Sequence, residues 1–113
     1  MNLLHLPETL PTEELVQQIC TGSGVRIERI ISTGQTSPED FWYNQQEDEW
    51  IVLLQGEAVL QFEEKSLRLS AGDSMLIPAN CKHRVKYTST QPPCVWLCVF
   101  GNEFEQNKND IQE

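Results

Sequence analysis

Between Val25 and Phe100 the chain is a succession of short β-type runs, most of them closed off by turn residues, and this punctuation limits the fold more than any other feature. The runs are Val25 to Ser32, Phe41 to Gln45, Glu49 to Gln55, Glu57 to Glu63, Ser66 to Leu69, Ser74 to Ile77, His83 to Tyr87 and Val95 to Phe100. Short strands at such close, regular spacing specify a β-sandwich or barrel. Alternation then assigns faces. Ala58, Leu60 and Phe62 share one side of their strand, Val59 and Gln61 the other, and Leu67 and Leu69 flank Arg68, so these strands have one wet face. Glu63 to Ser66 reads as a hairpin turn and Ala71-Gly72-Asp73 as the next reversal. Gln91-Pro92-Pro93 interrupts the ladder before the last strand, because proline has no N–H to donate.

Ahead of the strands, Pro11 to Cys20 carries a helical pattern. Thr12 is a capping residue, Glu13 and Glu14 suit a positive helix start, Leu15, Val16, Ile19 and Cys20 form an apolar stripe, and Thr21 to Gly24 ends it. The expected organisation is an arm with one short helix over residues 1–24, a β-domain over 25–101, and an acidic flexible tail over 102–113. A chain of 113 residues is about one domain's worth, and no second-domain boundary interrupts it.

Charge and cysteine content exclude several function classes. Eight Lys plus Arg against 17 Asp plus Glu give a net charge of -9, which repels nucleic acid phosphates and acidic lipid. No run reaches the ~18 consecutive apolar residues of a membrane helix. Neither a nucleic acid nor a membrane partner is expected. The opening Met1 to Leu6 lacks the pattern of a secretory signal, so cytoplasmic residence is the expectation. Cys20, Cys81, Cys94 and Cys98 show no structural zinc spacing. Cys94 and Cys98 share a strand face but lie ~13 Å apart along it, too far for a disulfide, so free thiols are expected.

Two blocks carry a family resemblance. Glu49 is followed after six residues by Gly56, and Gly72 after five residues by Pro78, then Asn80 and His83. In this order and spacing they resemble the paired motifs of the cupin superfamily over roughly residues 25–100. The resemblance implies an all-β, single-domain double-stranded β-helix, or jelly-roll barrel. Asn80 stands where the family has glycine, a tolerable exchange since Asn also adopts left-handed backbone geometry. Cupins of this size pair through sheet edges, so a homodimer is implied as well.

The same resemblance implies a divalent metal such as Fe, Mn, Ni, Cu or Zn, held by two histidines and a glutamate of the first motif and a histidine of the second. Only Glu49 and His83 survive here. With three residues between motif positions, Tyr43 and Gln45 stand where the histidines belong, whereas four would place Trp42 and Asn44 there. The first alignment lets Tyr43, Gln45 and Glu49 all project inward. Gln and Tyr are poorer donors to such metals than imidazole, so a metal on His83, Glu49, Gln45 and Tyr43 would be bound weakly. Glu49 and His83 can equally form an acid/base pair or a structural ion pair. Tyr87, four residues after His83, is expected on the same side. Trp42, Trp50 and Trp96 fit a cavity wall or a packed core. Cys81, two residues before His83, offers only a weak nucleophile signal. The pocket candidates are therefore Tyr43, Gln45, Glu49, His83 and Tyr87. The leading function is small-molecule binding in the barrel without a full metal site. The alternative is a metal-dependent isomerase, decarboxylase or oxygenase using Glu49 and His83.

Overall fold

The computed structural model describes residues 1–107, so the distal part of the tail expected over 102–113 lies outside the described residues. Eight strands build the molecule: β1 (Leu15–Gly22), β2 (Val25–Ser32), β3 (Asp48–Gln55), β4 (Glu57–Phe62), β5 (Ser66–Ser70), β6 (Ser74–Ile77), β7 (His83–Thr88) and β8 (Cys94–Gly101). They form a five-stranded sheet of order β1-β2-β8-β3-β6 and a three-stranded sheet of order β5-β4-β7, with every pairing antiparallel. The two sheets face each other across a core of Ile51, Leu53, Leu60, Leu69, Ile77 and Trp96 among others, the single-domain jelly-roll architecture that the family resemblance implies.

Gly56 is the corner where the chain leaves one sheet for the other. Its φ is +98°, and a Cβ there would come within 2.9 Å of the Cys94 backbone and the Ser89 hydroxyl, so both backbone geometry and space require glycine. Asn80 supplies the second special turn with φ +62°.

The N-terminal helix does not form, and the same residues make edge strand β1. Leu15, Gln17 and Ile19 are partly buried while Val16, Gln18 and Cys20 are exposed, an alternation of period two. The free edge of β2 offers the backbone of 15–22 a full ladder, and that tertiary opportunity outweighs an amphipathic pattern with two β-branched residues in it. Among the described residues there is no α-helix, and none long and apolar enough to cross a membrane. Phe41 to Gln45 is likewise not a strand. The loop from Thr33 to Glu47 runs along the open edge of β7, bonded through Ser37 to Val85 and through a single bridge between Tyr43 and His83.

The arm before β1 is fastened by one buried cation. Arg29, 4% exposed on the outer face of the large sheet, donates to the carbonyls of Leu3 (3.0 Å) and His5 (2.9 Å) and to the Gln17 side chain. His5 itself is exposed. Downstream, Phe104 packs its ring against Gly101 and donates its N–H to Asp48, so the chain is held at least that far past β8. All four cysteines are free thiols. Replacing Arg29 with Met keeps the apolar stem and removes the donors. It should cost about 2 kcal/mol or more in urea unfolding, as bonds from a charged donor carry roughly that much, and should speed amide exchange through the arm.

Candidate functional site

Register places the site. On the inner face of the large sheet, neighbouring strands align Ile77, Glu49, Phe100 and Arg26 in one row. The next inner-face row runs Met75, Ile51, Cys98 and Glu28, and the one after it Leu53, Trp96, Ile30 and Val16. Polar side chains thus collect at one end of an otherwise apolar face. On the opposite sheet His83, Val85 and Thr88 of β7 stand beside Phe62, Leu60 and Ala58 of β4. The two sheets enclose a cavity of about 270 Å³ whose walls include Ile51, Leu60, Ile77, Val85 and Trp96.

Glu49 and His83 meet across this gap. The carboxyl Oε1 lies 3.8 Å from the imidazole Nε2, with the residues only 8% and 4% exposed. That separation is beyond a hydrogen bond but within reach of a shared ligand atom. The Gln45 amide nitrogen donates to Glu49 Oε1 at 3.1 Å, and the Cys98 thiol lines the same end of the cavity. His83 Nδ1 lies 2.9 Å from the Cys81 carbonyl, an acceptor, so Nδ1 carries the proton and Nε2 presents its lone pair to the cavity. Burial raises the Glu49 pKa, against the lowering by its bond to Gln45, and burial lowers that of His83. The two shifts favour the uncharged form of each group, a protonated carboxyl facing a neutral imidazole.

Tyr43 is placed by its own backbone. Its N–H donates to the His83 carbonyl (2.7 Å) and its carbonyl accepts from the His83 N–H (3.1 Å), which stacks the phenol on the imidazole at 5.4 Å between centroids. The ring remains 38% exposed and meets Phe41 edge-on. Tyr43, Gln45, Glu49 and His83 therefore all line the cavity, as the inward-facing alignment required.

Tyr87 does not join them. It is 46% exposed and pairs with Val59, because the β4–β7 register slips where Leu60 meets Val85 and Val59 meets Tyr87. One extra β7 residue, Lys86, sits at that step, and such a bulge reverses the facing of every residue beyond it. The tryptophans divide. Trp96 lines the cavity and donates to the Ser32 hydroxyl, Trp50 lies outward beside Leu76 and Phe104, and Trp42 lies under Arg84.

Arg26, Glu28, Cys98 and Glu14 also line the cavity and were missed as site residues. Period-two alternation does put Arg26, Glu28 and Ile30 on one side of β2. Yet the opposite side, with Val25, Ile27 and Ile31, is the more apolar, and only pairing to β8 decides which side looks inward.

The donor set does not fit the divalent metal that the resemblance implies. Gln45 offers its amide nitrogen rather than its carbonyl to the Glu49 carboxyl, and Tyr43 lays its ring against His83. Burial, with the Glu14 and Glu49 charges, raises the Tyr43 phenol pKa and opposes the phenolate that a metal would need. Among the described residues no group of three or more His, Cys, Asp or Glu side chains is arranged to hold a metal ion.

The Cupin domain family model matches residues 28–100. A crystal structure of a candidate mannose-6-phosphate isomerase from Ralstonia eutropha JMP134 superposes with a TM-score of 0.86 at 36% identity, covering 91% of this chain and 97% of that one. A cupin superfamily protein from Desulfitobacterium hafniense DCB-2 gives 0.71 at 19% identity, over 86% and 84% of the two chains. A protein from Thermus thermophilus gives 0.73 at 19%, over 90% and 95%. No curated protein matches the chain significantly.

The Glu49 shift has a signed consequence. Its carboxyl holds a proton to higher pH in the fold than in the unfolded chain, where its ordinary value is 4.5. Its contribution to stability is therefore full below that value and lost as pH rises through the raised one. His83 acts oppositely, losing stability as pH falls from its ordinary 6.5 through its lowered value, and is common to wild type and variant. Urea unfolding of Glu49→Gln should show stability relative to wild type rising as pH is taken up from the ordinary carboxyl value of 4.5. A flat difference would mean that the carboxyl ionises alike in both states.

Proposed function

We propose that the chain, which belongs to the cupin family, binds a small organic molecule in the cavity between its sheets and does so without a resident transition metal, as a binding, sensing or auxiliary module. The observation that carries this reading is the convergence of Gln45, Glu49 and His83 on a cavity of about 270 Å³ with apolar walls. An apolar cleft with a few directed polar groups is the usual form of a small-molecule site, and its volume, near the lower end of the ~300–1,000 Å³ range, suits a compact ligand. His83 Nε2 offers an acceptor, and the Glu49 carboxyl donates when protonated and accepts when ionised.

A second reading, an acid–base isomerase, is favoured by the Glu49–His83 contact itself. Two groups whose pKa values burial drives toward each other, 3.8 Å apart, can take a proton from one carbon-bound position and return it at another. The name of the Ralstonia eutropha neighbour points the same way. A phosphate ester is not favoured as its substrate, because Arg26 is already held by Glu28 and Glu47.

The outer face of the large sheet supports pairing with a second copy. Ile27, Trp50, Val52, Leu76, Leu97 and Val99 lie on that face, each only partly buried, beyond the part fastened to the N-terminal arm. Contiguous apolar surface of this kind is characteristic of association faces. Native mass spectrometry of protein purified without chelator tests both points together. The expected species is a dimer whose mass leaves no room for a metal ion. One transition metal per chain, removed by His83→Ala, would overturn the metal-free reading, and a monomer at micromolar concentration would overturn the pairing.

A further inference from the structure

The cavity is electrically one-sided. Glu14, Glu28 and Glu49 line it, and the guanidinium of Arg26 is committed to Glu28 at 3.2 Å and to Glu47 while resting 4.1 Å over the Phe100 ring. Glu14 accepts from the Ser32 hydroxyl at 3.0 Å, a neutral partner that leaves its charge uncompensated. The effect of this field reaches the neighbouring groups. Burial raises the Cys98 thiol and the Tyr43 phenol, and every further charge acting on them is a carboxylate: Glu49, Glu28 and Glu14 on the thiol, Glu14 and Glu49 on the phenol.

A second observation is independent of the acidic residues. His83 is 4% exposed, its Nδ1 is engaged by the Cys81 carbonyl, and its Nε2 borders the cavity without a hydrogen bond to any described residue. An acceptor nitrogen at the cavity wall, 3.8 Å from the Glu49 carboxyl, is open to a donor from a ligand. Val16 (53%) and Tyr43 (38%) are the exposed apolar and aromatic members of the lining, and the exposed Phe41 (43%) meets the Tyr43 ring edge to face at 4.9 Å. Ring faces and carboxylates attract the same kind of ligand, a cation with an apolar body.

We propose that the ligand of this cavity is a small organic ammonium ion, its N–H groups directed to His83 Nε2 and the Glu49 carboxyl and its apolar body against the Phe41–Tyr43 rim. This rests on the cavity being a ligand site and adds the charge of what enters. The separated carboxylates suit such an ion better than a metal, since an ammonium bearing carbon needs a wider shell than a bare divalent cation, and no three of them converge at metal-binding spacing among the described residues.

The test uses four probes on the full chain: 2-phenylethylammonium, its uncharged counterpart 2-phenylethanol, the anion phenylacetate, and mannose 6-phosphate. Binding is read from the Trp96 indole N–H resonance. The ammonium should bind at least ~10-fold more tightly than the alcohol, about the step expected for a desolvated cation contact, with both anions weaker still. The preference should shrink in roughly 0.5 M salt, where charges beyond ~4 Å are screened, and in both Glu14→Gln and Glu28→Gln. Unchanged melting temperatures certify the variants, and if either fails to fold, the salt dependence of wild type decides. Equal or tighter binding of the alcohol or of an anion would overturn the ammonium assignment and leave the ligand site standing. Four probes that all leave Trp96 unmoved would overturn both.

Discussion

The rest of the site is arranged around one costly fact, a carboxyl group buried between two β-sheets. Glu49 occupies an inner-face position where its row neighbours are Ile77 and Phe100. Transfer of an unpaired carboxylate into such surroundings costs several kcal/mol, so the fold answers with a hydrogen bond from Gln45 and an imidazole on the opposite sheet. His83 is fixed in turn by the Cys81 carbonyl and by the two backbone bonds to Tyr43. Each residue of the cluster is thus held by another, and the contact that closes the cluster is also the one that spans the two sheets.

The same end of the cavity departs from the local rules that the rest of the molecule obeys. Elsewhere the inner faces carry Ile51, Leu53, Leu60 and Leu69, and the strands alternate cleanly. Around Glu49 the alternation persists while the residue type changes, to Arg26, Glu28 and Cys98 on adjoining strands. Polar residues at core positions are the kind of local exception that binding and catalytic sites carry, and the proposed ligand site rests on it. Family membership supplies the scaffold and the two surviving residues, Glu49 and His83. Beside them Tyr43 gives an aromatic ring and Gln45 a hydrogen-bond donor.

Seven of the eight strands were legible as runs bounded by turns, because period-two alternation and glycine are local signals. Gly56 and Asn80 likewise show their left-handed geometry in their identity and spacing. What was not legible depends on distant partners. Residues 15–22 carry a pattern that fits a helix or an edge strand, and the waiting edge of β2 decides. Phe41 to Gln45 has strand composition but finds only the single bridge at His83. Tyr87 was placed by counting in twos, and the unpaired Lys86 upset the count. Arg26, Glu28 and Cys98 join the site through a β2–β8 register about seventy residues apart in sequence, which no local periodicity encodes.

The protonation state of His83 bears most directly on a carboxyl and imidazole that burial holds in their uncharged forms. Long-range proton–nitrogen correlation spectra of the imidazole, followed across pH, resolve both ring nitrogens separately. The expected ring is neutral near pH 7 with the proton on Nδ1, an unprotonated Nε2, and a titration midpoint below the ordinary 6.5. An imidazolium persisting above that value, or an Nε2 shifted by a coordinated metal, would show that burial does not hold the pair neutral and that the site is built for something else.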